Sequence, residues 1–555
     1  MMDLSFDFKD KYWQFKDLRF AFRIYTLDNI YGVDPNRASF KVVEEEGVEK
    51  AVVRADGFYY AGGQKKIDGS FYAELVDRGG VIEVKADAGF PEDVKAEDRD
   101  LMFEEFKVKA LAILIKGVSG SEVLDGRFNF MKIDWDRGII FNYPRSWITY
   151  TYGLLTPLLV LKESRDYTFF LSMDHEVRPK RFALKKDLDG EHLVEIIHEE
   201  KAYLYKRSIT VPTWRIGKCS DPMDVLRMRM KLMEEKWGLK PWNQRDDVPE
   251  WMRKVSLVVN MHGKHWTGFV FNTFSRMLEI LEWIAERIDG YRVLVYIPSF
   301  NGRYYYDYPV YEPDPDLGGP EGFRKLVEGA HELGMHVVPM YSACAAGFRW
   351  IDRLGLKEAV VSNKYGWTIV PPNWVDWDAD RERDDIWIPV NLGHPKFREM
   401  MFNAIRKVTE EYGVDGAFLD ITHFYVNDSK YDFYEGLKQL IRDLKKEFGR
   451  NFLVFGEYYY DALMPIIPLF HVPFPENYTE FFTKYIRTAY HLSTPSPGRG
   501  SSGVHEAGHL KFFVPDPSKE AIPTLCIVED TIPDHAEEAE KVIEAAKKYA
   551  EIRGI

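Results

Sequence analysis

The chain has 555 residues, of which 45% are hydrophobic and 29% are charged, and its formal net charge is −14. A chain of this length is too long to fold around one ordinary hydrophobic core, so we expect two or three domains in a soluble, globular protein. The acidic balance argues against nucleic acid and anionic membrane surfaces as partners, and no apolar run approaches the roughly 18 residues of a membrane-spanning helix.

The start of the chain and its rarer residues indicate where the protein works. The first fifteen residues carry acids where a signal peptide needs bases and an apolar core, so we expect a cytoplasmic protein. Only four glutamines occur among many charged residues, a composition typical of thermophilic sources. Cys219, Cys344 and Cys526 lie far apart and form neither a disulfide framework nor a Cys-x-x-Cys metal motif. We predict no cofactor and no bound metal.

Residues 1–218 have the pattern of a β-sandwich. Short β-rich runs are separated by turn signals at Gly47, at Gly79-Gly80 and at the hairpin-type pair Asp189-Gly190. Many short strands with regular turns are characteristic of two antiparallel sheets packed face to face. We therefore predict an N-terminal β-sandwich domain over 1–218.

Residues 219–249 are predicted to form a helix followed by a linker. Ser220 or Asp221 is a suitable N-cap, Pro222 suits the first turn, and Gly238 ends the apolar pattern. The polar residues that follow form the linker.

From residue 250 onward, apolar strands alternate with amphipathic helices. This alternation predicts a parallel sheet, and roughly eight such units in about 300 residues fit a (β/α)8 or TIM barrel over 250–555. Seven strands are predicted at 255–263, 291–300, 335–343, 414–420, 451–457, 468–474 and 524–532. The remaining strand, seventh in order, is expected within 489–515, near a predicted helix at 478–492. The predicted fold class is therefore α/β, a TIM barrel preceded by a β-sandwich.

Two carboxylates stand where barrel enzymes place their chemistry. Asp420 ends the fourth predicted strand and Glu457 ends the fifth, each after a buried apolar run and before an aromatic loop. Active residues of TIM barrels lie at the C-terminal ends of the strands, so two acids on adjacent strand ends share one mouth. Each acid alone is also typical of a strand end that caps a turn, whereas the matched pair favours catalysis.

The pairing of Asp420 with Glu457 suits cleavage of a glycosidic bond. Two nearby carboxyl groups in a dry pocket cannot be equally ionised, so one keeps its proton and can act as an acid. Glycosidic cleavage uses one carboxylate to attack or stabilise the sugar cation and the other to protonate the leaving oxygen. We predict a separation of about 5–6 Å between the two carboxyl groups, which is typical of a retaining enzyme.

The loops after the predicted strands are rich in aromatic and hydroxyl-binding residues, which suit sugar rings. Each such residue alone is more typical of a surface or packing position, but as a set they indicate a sugar cleft. The predicted substrate-binding residues are His262, Trp266, Asn301, Arg303, Trp374, Trp377, His423, Tyr425, Tyr458 and Glu506.

Three segments within residues 318–460 resemble the barrel of α-amylase-type and related glycoside hydrolases. They are GGPEGFRKLVEGAHELGMHVVPMYSA, VNLGHPKFREMMFNAIRKVTEEYGVDGAFLD and FLVFGEYYY. The resemblance implies that Asp420 is the nucleophile and Glu457 the acid/base. A β-sandwich before the barrel is also similar to α-galactosidase-like and α-glucosidase-like enzymes, which take their acid from strand six.

The sequence departs from the amylase pattern at several places. The family usually has an Asn-His pair after strand three, where this sequence has YSACAAG, and Phe418 replaces the usual arginine two residues before the nucleophile. The usual His-Asp pair of strand seven is not visible, so a third acid would be Glu506, Glu529 or Asp530. We expect a relative of these enzymes, and predict a retaining α-glycosidase that acts on oligosaccharides or glycosides.

Two other functions remain open. A metal-dependent barrel hydrolase could use His262 and His265, with Asp420, Glu457, His471 or His505 as further ligands. A non-catalytic carbohydrate-binding protein would bind sugars without cleaving them. The sequence leaves the sugar, the linkage, exo or endo action, hydrolysis or transfer, and the oligomeric state open.

Overall fold

A computed structural model of the chain divides into two compact units. The first unit comprises Met1–Gly238, Ser362–Trp367 and Tyr425–Lys430, and the second comprises Leu239–Val361, Thr368–Phe424 and Tyr431–Ile555. The residues that the structure describes are 10–60, 63, 65–95, 106–126, 128–146, 152–164, 166–265, 268–303, 306–368, 387–472, 482–490, 514–519, 521–529 and 531–555.

The first unit is built on one large antiparallel sheet. In chain order its strands among the described residues are β1 (Trp13–Phe15), β2 (Leu18–Thr26), β3 (Ile30–Val33), β4 (Ala38–Glu45), β5 (Val48–Tyr60), β6 (Lys65–Asp77), β7 (Val81–Gly89), β8 (Val108–Lys116), β9 (Glu122–Leu124), β10 (Phe130–Lys132), β11 (Ile139–Tyr143), β12 (Leu158–Glu163), β13 (Asp166–Ser172), β14 (Lys180–Lys186), β15 (His192–Glu199) and β16 (Ser208–Cys219). The main strand order is β10-β9-β12-β13-β16-β7-β6-β5-β3-β2-β8-β15-β14-β11, and β1 and β4 pair with β2 and β5.

Local turn chemistry fixes several hairpins of this sheet. Gly47 has a φ of 76° and closes the tight turn between β4 and β5, where Glu45 pairs with Val48. The turns predicted at Gly79-Gly80 and at Asp189-Gly190 also join adjacent strands. The prediction of antiparallel strands in this region is therefore confirmed.

The sheet curls around a shared core. β14 and β16 are well separated in the strand order, yet the rings of Phe182 and Trp214 meet edge to face with their centroids 5.5 Å apart. Both side chains are fully buried. Apolar residues from distant strands thus pack against each other.

A single long helix, α1 (Pro222–Trp237), follows the last strand of the sheet. The Asp221 side chain accepts a hydrogen bond from the Met223 N–H, so Asp221 is the N-cap. Gly238 adopts a left-handed conformation with a φ of 66° and ends the helix. The helix packs on β13 and β16.

The second unit contains ten strands in its described part. They are β17 (Leu257–Met261), β18 (Val293–Ile297), β19 (His336–Ser342), β20 (Ala345–Gly347), β21 (Trp387–Pro389), β22 (Gly416–Asp420), β23 (Leu453–Glu457), β24 (Leu469–Val472), β25 (Arg487–Tyr490) and β26 (Thr524–Ile527). β20 and β21 form a separate antiparallel pair, and the other eight form one sheet in the order β25-β24-β23-β22-β19-β18-β17-β26.

The eight-stranded sheet is a nearly closed parallel barrel. Neighbouring strands of this sheet pair in parallel throughout. A parallel bridge between Ala489 and Ile522 links the two ends of the strand order, and the Ile522 N–H donates to the Thr488 carbonyl at 2.7 Å. All residues of β17, β18 and β22 are buried, as expected for strands covered on both faces.

Amphipathic helices alternate with these strands. They are α2 (Phe274–Ala285), α3 (Gly319–Glu332), α4 (Phe348–Arg353), α5 (Pro395–Tyr412), α6 (Phe433–Phe448) and α7 (Thr531–Arg553). The side chains of Thr273 and Asp432 cap α2 and α6, and a left-handed Gly413 ends α5. Among the described helices, none is long and apolar enough to cross a membrane.

The seventh strand corrects one prediction. Seven strands lie inside their predicted intervals, but β25 begins at Arg487, two residues before the predicted interval and inside the segment 478–492 predicted as a helix. The local sequence has helical spacing, whereas pairing with β24, Leu469 opposite Arg487, imposes the strand. Residues 491–513 of the predicted interval lie outside the described part of the chain.

The two N-cap candidates of α1 give a direct test of the local structure. We expect Asp221→Ala to lower the free energy of unfolding by about 1 kcal/mol, because it removes the hydrogen bond to the Met223 N–H. The matched variant Ser220→Ala should change it little. Urea titration followed by circular dichroism measures both, and equal losses would contradict the assignment of Asp221 as the cap.

Candidate active site

Asp420 and Glu457 lie side by side at the C-terminal ends of adjacent parallel strands. Asp420 is the last residue of β22 and is 6% exposed, whereas Glu457 ends β23 and is partly exposed. In the register of the two strands Leu419 lies opposite Gly456, so the acids that follow are level with each other. Their carboxyl groups are close enough to interact electrostatically. The structure therefore places both acids at the strand ends where the sequence predicts them.

The backbone directly after each of the two acids adopts an unusual left-handed conformation. Ile421 has a φ of 59°, a left-handed conformation that is a genuine outlier for a β-branched residue. This conformation directs the Ile421 N–H to Glu457 Oε2 at 3.0 Å. Tyr458, directly after the second acid, also has a positive φ, of 52°. Such strain concentrates at functional sites because the surrounding structure must hold it in place.

Thr422 joins the ends of the two strands. Its hydroxyl donates to the carbonyl oxygen of Glu457 at 2.6 Å and lies 3.1 Å from the carbonyl oxygen of Tyr458. A Cβ atom on Gly456 would lie 2.8 Å from Thr422 Oγ1, so only glycine leaves room for this hydroxyl. The glycine of the Gly-Glu motif is thus explained by the approach of Thr422.

Burial raises the pKa of both carboxyl groups. For Asp420, burial is the largest cause, followed by the charge of the nearby Glu457 carboxyl group, and its pKa lies well above the usual value. Burial raises the pKa of Glu457 to about 7, although the Ile421 N–H and Asp420 act in the opposite direction. Since two adjacent buried charges repel each other, the pair keeps one proton as a unit near neutral pH.

Strand three supplies neighbours that the sequence did not identify as site residues. Ser342 is opposite Asp420 in the register of β19 and β22, and the Ala343 N–H donates to the Asp420 carbonyl at 2.9 Å. Cys344 is fully buried, and its thiol pKa is raised by burial and by the charges of Asp420 and Glu457. The Ser-Ala-Cys segment, which begins at the last residue of β19 next to β22, was the available signal.

Phe418 occupies the place of the usual arginine and has a packing role. Its ring lies 4.2 Å from that of Tyr296 and 4.8 Å from that of Phe455, measured between centroids. The floor below the acid pair is therefore apolar. Among the groups that most affect the pKa of Asp420 and of Glu457, none is a cation.

Three buried histidines lie near the C-terminal ends of β17 and β24. His262 and His265 follow β17, and His471 lies on β24 opposite Glu457 in the register. Burial lowers the pKa of His262 to about 3, with further lowering by His265 and His471, so its imidazole is neutral. A neutral imidazole can both donate and accept hydrogen bonds.

The described residues give the metal-dependent alternative no ligand cluster. In those parts of the chain, no group of three or more His, Cys, Asp and Glu side chains is arranged to hold a metal ion. His505, one of the ligands considered for that alternative, lies outside the described residues.

Two predicted sugar ligands lie against each other near the acid pair. The rings of His423 and Tyr458 are 4.5 Å apart between centroids, and both residues follow the strand ends that carry Asp420 and Glu457. His423 is 5% exposed. The structure thus brings these two rings together with the acids.

Other predicted sugar ligands have contacts within their own loops. The Asn301 amide donates to the Val310 carbonyl at 2.8 Å, and the guanidinium of Arg303 lies 4.5 Å from the Tyr306 ring centroid. Both contacts shape the loop after β18.

Tyr425 belongs to the first compact unit. There its N–H donates to Ser146 Oγ at 3.0 Å and its hydroxyl to the Val177 carbonyl at 3.4 Å. Sugar binding by Tyr425 stays a prediction.

Several predicted residues cannot be placed. Trp266, Trp374, Trp377, Glu506 and Asp530 lie outside the described residues. Glu529, another candidate for the third acid, follows β26 and is partly buried.

Comparisons with known proteins agree with the motifs. No family model matches the chain. It is 21% identical over 236 residues to a cyclomaltodextrinase of Geobacillus thermopakistaniensis, covering 41% of this chain and 35% of that protein. It is 25% identical over 179 residues to a malto-oligosyltrehalose trehalohydrolase of Saccharolobus solfataricus, covering 31% and 29%. The match therefore spans about a third of the length of each curated relative.

One solved structure resembles almost the whole fold. The α-N-acetylgalactosaminidase NagBb of Bifidobacterium bifidum, in its GalNAc complex, superposes with a TM-score of 0.64 at 10% identity, covering 98% of this chain and 93% of that one. The resemblance to glycoside hydrolases inferred from the motifs is thus confirmed in sequence and in fold.

The raised pKa of Glu457 predicts how stability changes with pH. Between the ordinary glutamate pKa of ~4.3 and the folded value of about 7, the folded protein keeps a proton that the unfolded chain has lost. The free energy of unfolding should therefore fall as pH rises through this window, by up to about 1.4 kcal/mol per pH unit. The double variant Asp420→Asn/Glu457→Gln should flatten this slope in urea titrations, whereas the exposed control Glu312→Gln should not. An unchanged slope in the double variant would contradict the raised pKa values.

The role of Thr422 is testable without altering either acid. Thr422→Val should lower kcat about tenfold on a cleaved glycoside, because the two strand ends lose the hydroxyl that joins them. Thr422→Ser keeps the hydroxyl and should retain most activity. Equal kcat values for Thr422→Val and the wild type would show that the bridge does not position Glu457.

Proposed function

We propose that the protein is a glycoside hydrolase that cleaves α-glycosidic bonds of oligosaccharides or related glycosides with retention of configuration. The observation that carries this proposal is the pair of carboxyl groups, Asp420 and Glu457, that lie level with each other at adjacent strand ends of a parallel barrel. Two carboxyl groups with different environments are the chemical requirement for this reaction. The names of the relatives in sequence and fold, all enzymes of glycosides, support the same class.

In the first step, Asp420 would act as the nucleophile. Its carboxylate forms a bond to the anomeric carbon as the glycosidic C–O bond breaks, and Glu457 gives its proton to the leaving oxygen. In the second step Glu457, now a carboxylate, takes a proton from water. The water oxygen attacks the anomeric carbon and releases Asp420.

The position of the shared proton is part of this mechanism. In the free protein, burial raises the pKa of both acids, and the Ile421 N–H favours a negative charge on each of them. The proposed roles need Asp420 ionised and Glu457 protonated. Developing positive charge on the sugar favours an ionised Asp420.

Imidazole and phenol rings near the strand ends of the barrel fit an uncharged sugar. The imidazole of His262 is neutral because of its burial, and the His423 and Tyr458 rings offer apolar faces together with polar edges. We propose these three residues as sugar contacts. Asn301, Arg303 and the predicted ligands outside the described residues remain candidates on the sequence alone.

The domain organisation belongs to the same proposal. We propose an N-terminal β-sandwich over 1–218, a linker helix and linker over 219–249, and a catalytic barrel over 250–555. The curled antiparallel sheet supports the first of these. On the sequence composition we also propose a cytoplasmic location and a thermophilic source.

Variants of the two acids test the assigned roles. Asp420→Asn should abolish turnover on every substrate, because no other group forms the glycosyl-enzyme bond. Glu457→Gln should be nearly inactive on natural sugars but should keep the first step on an aryl glycoside whose leaving group needs no proton. Azide should then rescue the second step of Glu457→Gln, and with Asp420→Gly it should give the product of opposite anomeric configuration.

Exposed acids serve as matched controls. Asp352→Asn and Glu312→Gln alter carboxylates that are 74% and 67% exposed at the side chain, and both should keep wild-type rates on the aryl glycosides. If azide rescues the two site variants the other way round, the roles are swapped. If both site variants keep wild-type rates, the site lies elsewhere.

A further inference from the structure

A rigid turn of the first compact unit presents an exposed tryptophan. Trp367 is 59% exposed, and its ring centroid lies 5.8 Å from that of Tyr365. Asn363 organises the turn: its side-chain oxygen accepts hydrogen bonds from the N–H groups of Tyr365 at 2.9 Å and Trp367 at 3.0 Å. The Asn363 N–H in turn donates to the Trp367 carbonyl at 2.7 Å. The aromatic face is therefore pre-organised before any ligand arrives.

The base of this turn is also fixed within the unit. The Ser429 N–H donates to the Ser362 carbonyl at 3.0 Å, and the Ser362 N–H donates to the Asp428 carboxylate at 3.3 Å. The turn is thus held at its base as well as across its own backbone.

Two lysine amines meet beside the turn. The amines of Lys109, on β8, and Lys364, on the turn, are close enough to repel each other. Lys109 Nζ is 6.0 Å from the Tyr25 ring centroid, and Lys364 Nζ is 5.1 Å from that of Tyr365. Two neighbouring ammonium groups repel each other. The repulsion is relieved when one amine loses its proton or when an anion lies between the two.

The charges around the lysines leave the cluster positive. Glu199 attracts Lys109 and Arg181 repels it, but Glu199 already accepts hydrogen bonds from Arg181, at 2.5 Å, and from Asn427, at 2.8 Å. Burial, followed by the contact with Lys364, lowers the pKa of Lys109 to about 7. Because the whole protein carries a net charge of −14, it does not attract anions in general, so a local positive cluster favours a specific anion.

We propose that the first unit carries a binding site for acidic carbohydrate, in which Lys109 and Lys364 hold an anionic group and Trp367 stacks on the sugar ring. The ligand class is a sugar that bears a carboxylate or a sulfate ester. Charge-assisted hydrogen bonds from the two amines bind the anion, and the face of an exposed tryptophan is suited to the C–H face of a pyranose. The site goes beyond the proposed hydrolase function, since none of its residues belongs to the acid pair.

Binding titrations of the full-length protein test the site. The probes are trigalacturonic acid, a neutral galactose trisaccharide, galactose 6-sulfate and inorganic sulfate. We expect trigalacturonic acid to bind about tenfold or more tightly than the neutral trisaccharide, because two charged donors add charge-assisted hydrogen bonds. A comparison with galactose 6-sulfate shows whether the site prefers a carboxylate or a sulfate ester, and either preference supports the proposal.

Calorimetry measures proton uptake on binding, which nonspecific electrostatic attraction of the ligand to the protein surface would not produce. An anion between the amines restores the proton of Lys109, so at pH 8 binding should take up protons from the buffer. The heat of binding should therefore depend on the ionisation enthalpy of the buffer. Lys109→Met should remove this dependence.

Variants separate the two parts of the site. Lys364→Met should abolish the preference for acidic over neutral sugars, whereas Lys364→Arg should keep it. Trp367→Ala should weaken both kinds of sugar, and the exposed control Lys41→Met should change neither. The proposal is overturned if no acidic sugar binds, if sulfate alone binds as tightly as the acidic sugars, or if folded Lys109→Met and Lys364→Met proteins bind like the wild type. The proposed cleavage of glycosides by Asp420 and Glu457 does not depend on this binding site, so each of these results would leave the hydrolase proposal unchanged.

Discussion

The electrostatic coupling of two neighbouring carboxyl groups is the constraint around which the barrel mouth is organised. Burial raises the pKa of both Asp420 and Glu457, so the pair holds a proton near neutral pH. Parallel pairing of β22 with β23 brings them level, and the strained Ile421 backbone adds a donor to Glu457. The fold thus stabilises an arrangement that two separate charges in the same place would oppose.

The surroundings of the pair explain why its proton is retained. Phe418 stands where related barrels usually place an arginine, and it packs between the rings of Tyr296 and Phe455. Without a cation at that position, burial dominates the pKa of both acids. The departures from the amylase pattern therefore describe a different electrostatic environment for a similar pair of acids, and this environment suits an acid/base with a pKa near neutrality.

The sequence was sufficient where local pattern and burial coincide, as for the strands that carry Asp420 and Glu457. It was insufficient where long-range pairing decides the conformation. Arg487–Tyr490 has helical spacing but becomes a strand because β24 pairs with it. The left-handed Ile421 and the fit of Thr422 against Gly456 depend on two strands meeting in space, so no single segment encodes them. The roles of the loop tryptophans still rest on the sequence pattern.

Covalent trapping of the nucleophile tests the central claim most directly. The protein would be incubated with a panel of 5-fluoro-α-glycosyl fluorides, which slow release of the glycosyl-enzyme, and digested for peptide mass spectrometry. The account predicts one added glycosyl group per chain, carried by the carboxylate of Asp420 in the peptide that contains GAFLD. Labelling of Glu457, or of any residue other than Asp420, would contradict it.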